Sequence, residues 1–214
     1  MSKILILGAN GATAKIVTAR LLVESDNDLT LYLRNTDRLS QYKDNPRVTL
    51  IDGDATDISK LSTSMAGIDI VYSNLGGTDL ANYTKAIVTA MNIANVTRLI
   101  FYSSLGSLYE VPGKFGEWNE QAIAAYLPGF RESAKFLTAH NEINTTQIRP
   151  AWLTDNNEIS YETTGTDEPF KGTEISRQSV ADFVVKLINN PALYPNESIG
   201  LNKPNTDGYK PVWM

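Results

Sequence analysis

The chain has 214 residues, 42% hydrophobic and 20% charged, the balance of an ordinary globular domain rather than a disordered or membrane-embedded chain. A formal charge of −5 with no block of Lys and Arg argues against a nucleic-acid partner. The absence of Cys excludes disulfides, and a single histidine, His140, leaves little for a transition metal.

The elements alternate along the chain. Ile4 to Leu7 reads as a buried strand, and Ala12, Ile16, Ala19 and Val23 recur with helical spacing as the apolar face of a first helix. Strands follow at Leu29 to Leu33 and Val48 to Ile51, then a short helix near Ile58 to Met65 and a fourth strand ending at Gly76 and Gly77. A helix from about Leu80 to Ala94 leads to a fifth strand, "RLIFYSS". A helical region broken at Pro128 and Gly129 runs on to a sixth strand, "TTQIRPAWL". The last helix carries the stripe Val180, Phe183, Val184, Leu187 and Ile188, with Ser179 and Asp182 spaced as a capping box and Pro191 beyond its end.

Strands alternating with helices predict an α/β fold, a doubly wound and mostly parallel sheet of the Rossmann kind. Nothing divides the chain, so residues 1–214 read as one domain, with a polar excursion at about 155–175 on the substrate side. The apolar run before Gly8 is too short for a signal peptide, and no stretch reaches the roughly 18 apolar residues of a membrane span. The expectation is a cytoplasmic protein without a membrane partner, monomeric or homodimeric, acting on a small molecule.

The first strand runs into Gly8, Ala9, Asn10, Gly11, Ala12, Thr13 and Ala14, a turn with little side chain opening a helix. Such a turn exposes backbone N–H groups at the positive end of a helix dipole, where they hold phosphate. Gly8 permits the tight turn, Gly11 the approach of a pyrophosphate, and Ala14 close packing of helix on strand. The residue that reads the adenosine ribose is expected some 20 residues on. Arg34 stands there, with Asn35 beside it and Arg38 four further along. An arginine favours the 2′-phosphate of NADP, so NADPH is the expected cofactor ahead of NADH. Asp54, followed by Ala55, is placed after the third strand to reach the adenine amino group.

The stretches "GANGATAK", "LYLRN", "GDATD", "SNLGG", "FYSSLG", "IRPAWLTD" and "EISRQSVADFVVKLI" span nearly the whole chain. In them the sequence resembles the atypical short-chain dehydrogenase/reductases, the NAD(P)-binding, NmrA-like group that includes flavin and biliverdin reductases. The resemblance implies that Asn74 to Gly77, including Leu75 and Gly76, lie against the cofactor. It also implies that Ser103 and Ser104 end the fifth strand near the nicotinamide and that Pro150 to Trp152 close over it. Ser104 then stands as the catalytic serine and Lys135 as the lysine that holds the nicotinamide ribose. The superfamily's tyrosine four residues before that lysine is missing, since Arg131 occupies the position.

Without that acid, simple carbonyl reduction is disfavoured. A quinone or flavin spreads the arriving charge over its own rings and needs orientation more than a protein acid. The sequence therefore points to NADPH-dependent hydride transfer to a small conjugated acceptor, in a crevice walled by Leu105, Tyr109, Trp118 and Trp152. The alternative is an NADP-sensing binding protein of the NmrA-like type, with little or no catalysis.

Overall fold

A computed structural model describes residues 1–214. Its strands are β1 (Lys3–Leu7), β2 (Asp28–Leu33), β3 (Val48–Asp52), β4 (Ile70–Ser73), β5 (Arg98–Tyr102), β6 (Asn144–Pro150), β7 (Trp152–Thr154), β8 (Glu162–Thr164), β9 (Glu174–Ser176) and β10 (Glu197–Asn202). The helices are α1 (Ala12–Glu24), α2 (Ile58–Ser64), α3 (Leu80–Ala94), α4 (Gly113–Ala122), α5 (Leu127–Ala139) and α6 (Arg177–Asn189), with a 3₁₀ turn at Thr36–Tyr42. Eight strands form one sheet in the order β3-β2-β1-β4-β5-β6-β10-β8, parallel except for β8 at the edge. β7 and β9 form a separate parallel pair.

Strand periodicity divides the core. Ile4 and Ile6 of β1 face the layer containing α1 and α6, whereas Leu5 and Leu7 face α2, α3 and α5. Because both faces are covered, the central strands are apolar throughout, as β1 and β4 show. The chain reverses its direction of winding between β1 and β4, which opens a crevice at their carboxyl ends.

Four expectations require correction. The buried face of α1 is Thr13, Ala14, Val17, Thr18 and Leu21, while Ala12, Ala19 and Val23 are exposed. Packing of this helix against both the sheet and α6 favours small and β-branched residues, so the apolar count misplaces the face. Pro128 does not break a helix: it lies in the first turn of α5, where its missing N–H has no intrahelical partner to lose. The cap of α6 is Ser176, whose side chain accepts from the Ser179 N–H, three residues before the expected cap. The sixth strand divides at Ala151, whose N–H goes to Leu201 O while that of Trp152 goes to Thr173 O, just before β9.

β10 is absent from the sequence reading. Its Gly200 masks it, yet a Cβ there would meet Thr164 Oγ1 at 2.2 Å, so the glycine is what lets β8 and Phe170 close the sheet edge. Within 155–175, Thr164, Phe170 and Thr173 are buried, so this stretch is partly core.

Candidate functional site

The bare turn after β1 is tightly constrained. Gly8 has φ +70°, and a Cβ on it would lie 3.0 Å from Asn74 O. A Cβ on Gly11 would lie 2.2 Å from Asn74 Nδ2, and Asn74 is held in place by the Tyr72 hydroxyl, which donates to its Oδ1 at 2.7 Å. The Gly11 N–H donates to Gly8 O, and the first turn of α1 closes only at Lys15 N–H to Gly11 O. The N–H groups of Ala12, Thr13 and Ala14 therefore form the open N-terminus of α1, a cradle for an anion.

Gly8, Asn10, Gly11, Arg34, Asp54, Ala55, Leu75 and Gly76 line one cleft of about 390 Å³, together with Arg38 and Tyr83. With its amide oriented to suit, Asn10 accepts from Arg38 Nη2 and Nε at 2.7 and 3.1 Å. Arg34 is exposed and makes no ion pair within the chain. Arg34 and Arg38 place two guanidinium groups at this end, against one lining carboxylate, Asp54. Hydrogen bonds from the Thr56 hydroxyl and N–H hold the Asp54 carboxyl below its usual range, with the charge of Arg34 adding to them. Burial, reinforced by Asp57, Asp54 and Asp52, pushes the Tyr32 phenol up to about 12.

A second cleft of about 260 Å³ continues from Leu75 and Gly76 past Ala12 and Thr13 to Tyr102, Phe130, Leu153 and Arg177. Those last four residues also line a third, of about 370 Å³, with Ser103, Ser104, Leu105, Pro150, Ala151, Trp152 and Trp213. Shared walls make the three clefts one crevice along the carboxyl ends of the sheet. The third is mostly apolar, and Arg177 is its single charged lining residue. Ser104 Oγ donates to Leu105 O at 3.1 Å, whereas Ser103 is buried. Burial raises the Tyr102 phenol to about 12, although the neighbouring Thr13 side chain and the charge of Arg177 pull it down.

The structure does not bring every expected residue here. Asn35 lies outside the crevice: its side chain caps the 3₁₀ turn by accepting from Asp37 N–H, and its own N–H donates to Asp52. Lys135 is exposed on α5 and lines none of the three clefts; Phe130 is the α5 residue that faces them. Tyr109 is 74% exposed beneath the Arg131 guanidinium, and Trp118 stands behind Trp152 at 4.8 Å between ring centroids, so neither lines the crevice. Ala14 is buried against the sheet and contributes only its N–H end of α1.

Tyr102, Phe130, Arg177 and Trp213 escaped the sequence reading. Tyr102 had a signal, since it falls two residues after Ile100 and so shares that strand face. Arg177 became visible only once Ser176 was known as the cap, which puts it at the first position of α6.

A parallel sheet in this order, with an N–H cradle at its switch point and a basic groove beside β2, defines a dinucleotide-binding Rossmann domain. The chain belongs to the NAD(P)H-binding family whose model matches residues 8–191. It is similar to a Rossmann-fold NAD(P)-binding family protein from Shigella flexneri, at 37% identity over 100% of both chains with a TM-score of 0.83. It is also similar to a short-chain dehydrogenase/reductase from Veillonella parvula solved in complex with NADP, at 28% identity over 99% of both chains and a TM-score of 0.92. An anaerobillin reductase from Escherichia coli shares the fold at 19% identity, over 97% of this chain and 100% of that one, with a TM-score of 0.81. No curated protein matches the sequence. No helix is long and apolar enough to cross a membrane.

Proposed function

We propose that the chain is an NADPH-dependent reductase of small conjugated acceptors such as quinones or flavins. The observation that carries this reading is the single crevice that changes character along its length, from two arginines, through an N–H cradle, to an apolar aromatic cleft. The residues present fit a dinucleotide. The N–H groups of Ala12, Thr13 and Ala14 would take the pyrophosphate, and Arg34 with Arg38 the 2′-phosphate. Asp54, which lines the same cleft, would take the adenine amino group.

NADPH supplies a hydride. The chain supplies position: Phe130, Leu153 and Trp152 form an apolar slot for a flat acceptor, and Ser104 offers a hydroxyl at its edge. Burial holds the Tyr102 phenol of the slot at about 12, so it is a weak acid for a carbonyl substrate. A conjugated acceptor suits this arrangement, since its rings delocalise the incoming charge and solvent delivers the proton. The NmrA-like likeness supports a second reading, an NADP sensor, and the exposed position of Lys135 favours it.

The test is a titration with NADPH and NADH by nicotinamide fluorescence, followed by menadione or FMN. Preferential NADPH binding followed by oxidation is expected. Binding with no oxidation by either acceptor would transfer the assignment to the sensor.

A further inference from the structure

The apolar cleft contains one feature that a neutral quinone would not use. Arg177, the first residue of α6, lines this cleft beside Tyr102, Phe130, Trp152, Leu153 and Trp213. Its side chain is 24% exposed, and no carboxylate lines this cleft. Its ion-pair partner, Asp155, reaches it from outside: Nη1 lies 2.6 Å from Asp155 Oδ1, and the Asp155 side chain is 86% exposed. An ion pair with so exposed a carboxylate contributes little and yields readily to a competing anion. A guanidinium beside an apolar wall binds a carboxylate more strongly, because water is excluded and the fork geometry allows two parallel hydrogen bonds. The positive end of α6 adds to the same field.

We infer that the acceptor is a planar conjugated molecule bearing a carboxylate, which Arg177 takes over from Asp155 while the rings lie against Trp152 and Phe130. The inference rests on the reading of this cleft as the acceptor site. Arg177 acts as a specificity residue and Asp155 as the stand-in for the absent carboxylate.

The three tryptophans of the chain provide the readout. Trp152 lies 4.8 Å from Trp118 and 6.3 Å from Trp213 between ring centroids, so all three belong to one cluster at this cleft. Quenching of their emission by anthraquinone carboxylate and by its uncharged carboxamide is measured on the NADP⁺-loaded protein. The carboxylate is expected to bind about tenfold or more tightly than the carboxamide, the factor of one strong charge-assisted contact. Arg177→Gln should bring that ratio close to unity. Asp155→Asn, which removes the internal competitor, should raise carboxylate affinity severalfold while the carboxamide is unaffected.

Equal binding of the two probes by the wild-type protein would overturn the inference. So would an Arg177→Gln protein that keeps the ratio but loses affinity for NADP⁺, because the guanidinium would then serve the pyrophosphate cradle at Ala12 and Thr13. Turnover is a separate readout. A protein that shows the carboxylate preference but oxidises NADPH with no quinone keeps the anion site and loses the reductase reading.

Discussion

The two ends of the crevice are built in different ways. The nucleotide end is made of backbone and isolated charges, each within a few residues of a strand terminus: Gly8 and Gly11 after β1, Arg34 after β2, Asp54 after β3, and Leu75 and Gly76 after β4. The apolar end is made of side chains that converge from distant segments, namely Tyr102, Phe130, Trp152, Arg177 and Trp213. A local arrangement leaves a spacing that can be read in the chain, whereas a convergent apolar wall does not.

The largest effect is expected beside the apolar end. Arg149 is fully buried and its Nη1 lies 2.7 Å from Glu110 Oε1, with Glu110 itself 5% exposed. Glu110 also accepts from the Gly106 and Leu108 N–H groups, so the pair fixes the loop that leaves β5 and carries Leu105. Arg149→Met strands that carboxylate and should cost about 3–5 kcal/mol. Urea denaturation should show a lower midpoint at unchanged slope; a loss below about 1 kcal/mol would mean that Glu110 finds water instead.

Next comes the nucleotide end. Gly11→Val should lower affinity for NADPH and NADH alike by on the order of 100-fold. It should also cost about 1–3 kcal/mol of stability, because its side chain must displace Asn74 from the Tyr72 hydroxyl. The glycine thus serves packing, and calorimetry beside the titration separates that role from ligand approach. Arg34→Glu should weaken NADPH by about ten- to a hundredfold, the worth of a charge-assisted contact, and leave NADH nearly unchanged. An unaltered preference would assign the 2′-phosphate to Arg38 alone.

A smaller effect lies far from both ends, where α1 meets α6. Burial raises the Asp182 pKa, but hydrogen bonds from Lys186, Tyr161 and Arg20 outweigh it and hold the carboxyl below its ordinary value of 3.8. A carboxyl lowered in the folded state stabilises the fold above its unfolded pKa and loses that contribution as pH falls through the folded one. Stability should therefore fall below about pH 4, and Asp182→Asn should flatten this acid limb in denaturation curves. The smallest effect is expected for Lys135→Ala, which should change NADPH affinity by less than about twofold, as for an ordinary surface substitution. A larger loss would return Lys135 to the crevice.

The alternation of strands and helices was legible because the central strands are short continuous apolar runs and most helices carry an apolar face. That Arg34, Asp54 and the glycine turn share one cleft was legible because each stands within a few residues of a strand end. The face of α1 was misread because small and β-branched residues, rather than the most apolar ones, fit between the sheet and α6. β10 was hidden by a glycine whose purpose lies across the sheet, at Thr164 and Phe170. Lys135 was expected inside because the resemblance supplied a lysine position, but α5 turns Phe130 inward there, and only the packed helix shows this.

The most direct test of the account is a single-turnover experiment. The protein is loaded with one equivalent of NADPH and mixed with excess menadione, and the loss of nicotinamide absorbance is followed against a protein-free control. The account predicts oxidation of the bound NADPH well above the control rate. Tightly bound NADPH that decays no faster than the control would contradict it.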